Sequence, residues 1–412
     1  MNEKLNKYIK ENFPKTVRYN PQDNGNLIGL PKPYNVPSIE GRFQEMYYWD
    51  TYFLNRGLIL MGETEQAKNN VDNILYLIDK YGYMPNGNRT FYLHNSQPPF
   101  STLMVEEIFA VTGDKEWLSA AYKTLTKEYE FWSTRRSTPI GLTQYKGERD
   151  MAVADGMAEG FLERIGNRPE NITDERLAWQ YVAICESGWD INPRFDFHVE
   201  DWCSVELNSL LLRYEINMGK FCEILGIDGK TQWQERADKR KALMEKYMLK
   251  DGIFYDYDFT NDKISDKFTY AGIYGMAMGV ISESQAKAVK DNFYRIETEY
   301  GVAATEKMYD KGIYHYQWQY PNGWAPTQSL AINAFLNYGY IDDAKRIAQK
   351  YVNLVETNFE KTNNLWEKYN VVTGGVDVED ECSQRHQTMP PMMGWTSGVY
   401  IEALSVLEKY GK

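Results

Sequence analysis

Six times along this chain a run with helical apolar spacing ends at a glycine, and a polar or acidic residue then opens a new amphipathic run. The marks are Met61-Gly62-Glu63, Thr112-Gly113-Asp114, Gly166-Asn167, Gly226-Ile227-Asp228, Gly279-Val280-Ile281-Ser282 and Gly339-Tyr340-Ile341-Asp342. Their glycines stand 51, 53, 60, 53 and 60 residues apart. Glycine closes a helix because it enters the left-handed region without a Cβ clash, and a short polar side chain caps the next helix. Between the marks the spacing is helical: Ala67, Val71, Ile74 and Ile78 recur at 4, 3 and 4 before Gly82, and Ala344, Ile347, Ala348, Tyr351 and Val355 do the same within 342–357. Self-similarity at this period marks an array of helical hairpins. Six hairpins make either an open solenoid or a closed (α/α)6 toroid of twelve helices, and the period fits both. The copy at Gly166-Asn167 lies in more loop-like surroundings. No linker, low-complexity tract or composition shift divides the chain, so residues 1–412 read as a single domain, with 1–35, rich in Asn, Lys and Pro, as an N-terminal extension that wraps it.

Charge and composition narrow the function. Lys plus Arg number 46 and Asp plus Glu 58, a net charge of −12, and no basic footprint for nucleic acid is concentrated anywhere. No stretch reaches the roughly 18 apolar residues of a membrane span. The first twenty residues carry charges throughout and lack the apolar core of a signal peptide. Cys185, Cys203, Cys222 and Cys382 are scattered and read as reduced thiols, which predicts a cytoplasmic enzyme. His94, His198, His315 and His386 share no helical i, i+4 spacing, so no metal is expected, and the absence of a phosphate-cradling glycine loop predicts no cofactor. Aromatic residues make up 15% of the chain, with 32 Tyr and 11 Trp, more than a core needs; the rest suit a surface that stacks on flat or apolar ligand faces.

Those aromatics gather between the hairpins. Segments 37–53, 84–100, 186–195, 316–328 and 365–370, and then 394–398, each pair Trp, Tyr or Phe with carboxylates or amides. A sugar needs that combination: rings cover its C–H faces while Asp, Asn, Gln and Arg bind its hydroxyls. Singly each has an ordinary reading. A Trp-Asp pair at a loop–helix junction is commonly a core aromatic beside a cap, Asn-Gly at 86–87 and 322–323 is turn chemistry with glycine at positive φ, and Glu367-Lys368 is a solvated charge pair. Recurrence at the hairpin spacing favours a shared binding cavity.

The residues resemble a known family. Gly-Arg-Phe-x-Glu-x-Tyr-x-Trp-Asp-x-Tyr at 41–52 is similar to the first trehalase signature, and Gln317-Trp318-x-x-Pro321-x-Gly323-Trp324-Ala325-Pro326 to the second. Pro85-Asn-Gly-Asn-Arg89, Ser96-Gln-Pro-Pro99, Ser187-Gly-Trp-Asp190, Glu206-Leu-Asn-Ser-Leu210, Asp256-Tyr-Asp258, Glu367-Lys-Tyr369 and Gly394-Trp-Thr-x-Gly398 follow in family order. The resemblance to the trehalase family of inverting glycosidases implies the closed (α/α)6 barrel and an exo-acting hydrolase of a small α-linked glucoside such as trehalose. It implies Asp190 as general acid and Glu367 as general base, one protonating the glycosidic oxygen while the other activates water on the opposite sugar face. It implies Arg42, Phe43, Trp49, Asp50, Asn86, Asn95, Gln97, Trp189, Gln317, Trp318, Gln319, Trp324 and Trp395 as the sugar-binding lining.

Several family positions differ. Position 319 is Gln where the family has Asp, and Asn95 stands where Arg usually precedes Ser-Gln. An Arg-Pro-Glu-Ser run is replaced by 147–159, with Arg149 and Asp150 as candidate substitutes. The glycine-rich lid is replaced by 374–386, from which Glu379, Glu381, Arg385 or His386 would reach the site. The changes fall on groups expected to grip the leaving half of the substrate, so a related α-glucosidase or α-mannosidase on another small glycoside is the alternative. An isomerase or epimerase on the same barrel would use histidines where this chain has Asp190 and Glu367, and an inactive sugar-binding protein would not need both carboxyls. The expected partner is a small carbohydrate, with oligomeric state unread.

Overall fold

Helices that are apolar on every side alternate along the chain with helices apolar on one side only, and this division sorts them into two layers. The computed structural model describes residues 2–149, 156–308, 313–378 and 389–411. Its helices are α1 (Glu3–Asn12), α2 (Tyr48–Leu60), α3 (Thr64–Tyr81), α4 (Ser101–Thr112), α5 (Lys115–Glu130), α6 (Met157–Ile165), α7 (Asp174–Glu186), α8 (Val205–Leu225), α9 (Lys230–Tyr247), α10 (Tyr274–Ala277), α11 (Glu283–Asn292), α12 (Ala325–Asn337), α13 (Ile341–Thr362) and α14 (Gly394–Tyr410). Helices α2, α8, α12 and α14 are buried on nearly all sides. By contrast α13 buries one stripe, including the Ala344, Ile347, Ala348, Tyr351 and Val355 expected from the spacing, and α9 buries only Trp233, Ala237, Arg240 and Met244.

The inner helices form a ring: α2 touches α4, α4 touches α8, and contacts continue through α10, α12 and α14 back to α2. The closed (α/α)6 barrel is the fold, and the solenoid is excluded. Ring closure between α14 and α2 depends on two glycines. A Cβ on Gly57 would stand 2.6 Å from the Gly398 Cα, and one on Gly398 would stand 2.3 Å from the Phe53 carbonyl oxygen, closer than real side chains pack.

All six punctuating glycines have positive φ, from 65° at Gly113 to 85° at Gly62. Polar caps follow as expected: the Asp114 side chain accepts from Trp117 N, and Ser282 with Gln285 makes a reciprocal capping box. One mark behaves differently. Gly166 ends α6, but α6 and α7 pack on each other outside the inner ring, around a separate apolar cluster containing Trp132, Tyr145, Phe161, Phe195 and Trp202. The sixth inner helix is instead the C-terminal α14. The N-terminal α1 lies near it, with Tyr8 against Phe359 of α13 and Asn2 N donating to Glu356, whose carboxylate also accepts from Tyr400 of α14. Strands are short. The one that matters to the cavity is Asn322–Trp324, antiparallel to Lys368–Asn370 with Trp324 opposite Lys368. No helix among the described residues is long and apolar enough to cross a membrane.

Candidate active site

The non-helical segments, together with residues of α2, α6, α7 and α14, line a cavity of about 440 Å³. Of the residues expected in the sugar-binding lining, Phe43, Trp49, Asp50, Asn86, Asn95, Gln97, Gln317, Trp318, Trp324 and Trp395 line it, together with Asp190 and Glu367. Three others stand apart. Arg42, next to Phe43, is exposed; Trp189 is fully buried beside the wall; and the Gln319 carbonyl accepts from Asn322 N, closing the turn before strand 322–324.

Each wall is fixed by a local device. Asp50 sits in the first turn of α2, where the helix dipole favours a carboxylate, and the preceding Trp49 N–H donates to the Gln97 side chain at 3.1 Å. Asn86 is held by pairing of its backbone with Tyr48 and Asn95. Trp318 and Trp324 stack at 3.9 Å with planes 4° apart, and Trp395 meets Trp49 and Trp324 edge-on. Gly87 and Gly323 were expected at positive φ in turns. Neither is; both sit in extended pairing, and glycine is needed there for close approach. A Cβ on Gly323 would be 2.2 Å from Val371 Cγ1, and one on Gly87 would be 2.9 Å from the Met46 carbonyl.

Glu367 enters the cavity just before the strand Lys368–Asn370. Its carbonyl accepts from Trp395 Nε1 at 3.2 Å, and its Oε2 accepts from Lys368 Nζ at 2.7 Å. Lys368 is fully buried, its ammonium 4.6 Å from the Trp324 ring. Asp190 lies on the turn after α7. At the root of that turn the buried Glu186 accepts from Arg136 Nε and Nη2, each at 2.8 Å, and from the backbone of Ser96 and Lys146. This ties the acidic turn to the loop bearing Asn95 and Gln97. Asp50 is 8% exposed, and burial pushes its carboxyl up to about 8, with the charges of Glu367 and Asp190 adding to the effect against its own backbone hydrogen bond. Three carboxyls therefore share one field, with one of them held neutral near pH 7. Such a cavity can give a proton at one point, take one at another and still donate a hydrogen bond to a sugar oxygen.

Arg164 was not anticipated. It comes from α6, lines the cavity, and places Nη1 3.4 Å from Asp190 Oδ2 and 3.0 Å from the Tyr181 hydroxyl. In sequence it looks like any polar-face charge of an amphipathic helix. Tyr47, Phe91, Tyr92, His94, Met157 and Tyr181 also line the cavity. Arg149, offered as a substitute for the lost arginine run, pairs instead with Glu200 and covers Trp179. Asp150 and the lid candidates Glu379, Glu381, Arg385 and His386 lie outside the described residues. No grouping of His, Cys, Asp and Glu among the described residues would hold a metal ion.

The family model described as Trehalase matches residues 1–408. A relative from Xanthomonas axonopodis pv. citri, a periplasmic trehalase by name, is 31% identical over 98% of this chain and 73% of its own length. A periplasmic trehalase from Salmonella choleraesuis is 30% identical over 92% of this chain and 69% of its own. Among solved structures, the neutral trehalase Nth1 of Saccharomyces cerevisiae superposes with a TM-score of 0.78 at 25% identity, covering 95% of this chain and 76% of that one. A mannosylglycerate hydrolase from Thermus thermophilus, solved with glucose, shares the fold at a TM-score of 0.66 and 15% identity over 98% and 99% of the two chains. These names overturn the expectation of a cytoplasmic location, since the bacterial relatives are periplasmic. Scattered thiols did not discriminate: Cys185, Cys203 and Cys222 are unpaired, and unpaired cysteines occur in oxidising compartments too.

Proposed function

The chain belongs to the trehalase family and is a glycoside hydrolase, and from that premise we propose that it cleaves a small α-linked glucoside, trehalose foremost, with inversion at the anomeric carbon. The observation that carries this reading is that Asp190 and Glu367 share one aromatic-walled cavity, within the field of a third carboxyl at Asp50. Asp190 is the general acid, giving its proton to the glycosidic oxygen as the bond breaks. Glu367 is the general base, taking a proton from the water that attacks the opposite face. The Lys368 ammonium gives the base a fixed counter-charge. Asn86, Gln97 and Gln317 bind hydroxyls while Trp49, Trp318, Trp324 and Trp395 cover C–H faces. We place its action in the periplasm, as the names of the bacterial relatives suggest.

A second reading concerns the leaving group. A general acid marks the leaving-group side of the cavity, so Arg164, beside Asp190, belongs to that subsite. With Asn95 in place of the family arginine and Arg149 turned to Glu200, the cation on this side has moved. That favours a glycoside whose leaving group differs from glucose, a hydroxy acid or another sugar being the classes a guanidinium binds.

Proton NMR of the first sugar released tests both readings, with wild type and Asp190→Asn run side by side on trehalose, other α-glucosides, α-mannosides and α-glucosides of hydroxy acids. Inversion gives equal α- and β-glucose from trehalose at the earliest times; α-glucose alone would mean retention. The Asp190→Asn variant should lose about 10²-fold or more in turnover. Reaction confined to other glycosides would assign the altered subsite. Binding without turnover would replace the enzyme by a sugar-binding protein.

A further inference from the structure

Behind the turn that presents Asp190 lies a group of three charges that the proposed chemistry does not use. Arg194 is fully buried. Its Nη1 donates to Glu206 Oε1 at 2.8 Å and its Nη2 to Glu206 Oε2, while Nε and Nη2 donate to the two Asp256 oxygens at 3.1 and 2.7 Å. Glu206 comes from the first turn of α8 and is itself fully buried, and Asp256 from the segment that also accepts Val205 N at 2.9 Å. Three elements thus meet on one guanidinium. Burying such charges costs several kcal/mol per ion, and packed apolar side chains of similar volume often serve stability as well or better. What a doubly bidentate guanidinium supplies, and an apolar patch does not, is a fixed place and orientation.

That orientation acts on the neighbour of Asp190. The Arg194 guanidinium stands 4.3 Å from the Trp189 ring, and the same indole stacks on Tyr270 at 3.8 Å with planes 7° apart. The turn itself is strained: Ile191, a buried β-branched residue directly after Asp190, has φ +53°. Backbone of this kind persists only where its surroundings over-determine it. Here the Ile191 carbonyl accepts from both Gln317 N and Trp318 N. The Asn192 side chain donates to the Trp189 carbonyl at 2.7 Å and accepts from Arg194 N at 3.0 Å.

We propose that Arg194 is a positioning residue for proton delivery: anchored by Glu206 and Asp256, it holds Trp189 and the strained turn so that the Asp190 carboxyl meets the glycosidic oxygen. The proposal rests on Asp190 being the general acid. Its signature is therefore a loss that depends on how much help the leaving group needs. A glycoside oxygen leaves only with a proton, whereas α-glucosyl fluoride releases fluoride without one: the C–F bond breaks, the attacking water supplies the new C–O bond, and Glu367 takes that water's proton.

Arg194→Lys, Asp190→Asn and wild type are compared on α-glucosyl fluoride and on the glycoside that reacts best in the anomeric assay. A displacement of the acid by about an ångström should cost Arg194→Lys about 10²-fold in kcat on the glycoside. The loss on the fluoride should stay within a few-fold, KM should be nearly unchanged, and the alkaline limb of the pH profile, which the general acid sets, should shift. Trp189→Phe, which keeps an aromatic ring but weakens the cation–π contact, should show a smaller loss in the same direction, and it stands in if Arg194→Lys does not fold. Equal losses on both substrates, or none on either, would overturn the positioning role. If Asp190→Asn itself keeps its glycoside activity or loses both activities alike, the assignment of the acid fails instead.

Discussion

Asp50 shows how one residue can serve a cavity while weakening the fold. Burial carries its carboxyl from an ordinary 3.8 to about 8, with Glu367 and Asp190 adding to the rise. Between those values the folded chain binds a proton that the unfolded chain releases. Stability is therefore full below about pH 4, falls as pH rises through that window, and is lowest above about pH 8. At roughly 1.4 kcal/mol per pH unit the effect is of order a few kcal/mol. Asp50→Asn removes the ionisation, so its unfolding free energy relative to wild type should climb between pH 5 and pH 8.5, while sugar hydrolysis falls at every pH. Urea melts at the two pH values check this; a constant difference between variants would mean that Asp50 is charged in the folded protein throughout. At this scale sequence was informative where chemistry is written in residue types next to one another. Trp49-Asp50, Trp189-Asp190 and Glu367-Lys368 announce themselves, and all but Trp189 and Lys368 reach the cavity lining. Arg164 was invisible because a cation on the polar face of a nine-residue helix has the same pattern whether it meets solvent or a carboxyl of the cavity such as Asp190. At Gly87 and Gly323 the turn signal misleads, since Asn-Gly carries the same letters in a turn and in a crowded extended pair.

Helices were legible because their period and their stops are local properties. The glycine marks predicted positive φ at the helix ends, and each of the six glycines has it. Pairing between helices is not local, which is why the mark at Gly166 suggested an inner–outer hairpin where α6 and α7 instead pack together beside the ring. The three-residue strands 322–324 and 368–370 were missed for a related reason: neither is long enough to show alternation, yet together they set where Glu367 stands. Ring closure depends on backbone approach between α2 and α14 at Gly57 and Gly398. At Gly398 an added Cβ would lie 2.3 Å from one backbone atom and 3.1 Å from two more, with no flexible side chain to move aside. Gly398→Ala should therefore cost at least about 1–3 kcal/mol by overpacking, seen as a fall in Tm with helix content retained by circular dichroism. Gly113→Ala, at a glycine with φ +65° and open space around its Cβ, is the control: it meets only backbone strain. A Gly398→Ala loss no larger than that of Gly113→Ala would mean that α2 and α14 can slide apart freely.

The whole molecule poses a question of cooperativity. We expect residues 1–412 to unfold as one unit, because its ends and its smaller cluster are built into the same walls. The first 35 residues bury Leu5, Ile9, Phe13, Ile28, Leu30 and Tyr34 within the main apolar cluster, and α1 packs on the outer helix α13, whose Glu356 also holds Tyr400 of the ring helix α14. The α6–α7 pair has its own apolar cluster, but that cluster shares the acidic turn with the ring. Ile191 and Phe195 lie in it, while Arg194 between them is bound to Glu206 of α8. Opening either part alone would leave a buried charge of the other without its partner, a cost of several kcal/mol that couples the two. Scanning calorimetry on the full chain should give one transition whose calorimetric and van't Hoff enthalpies agree. Removing residues 1–35 should lower Tm steeply, since it strips apolar side chains worth about 1.5–3 kcal/mol each from the core. A sugar bound in the cavity should raise the single transition as a whole, because the lining draws on α2, the acidic turn, strand 322–324 and α14 together. Two transitions, with only one of them shifted by sugar, would instead divide the molecule at the α6–α7 pair and make that pair a separately folding cap over the Asp190 side of the cavity.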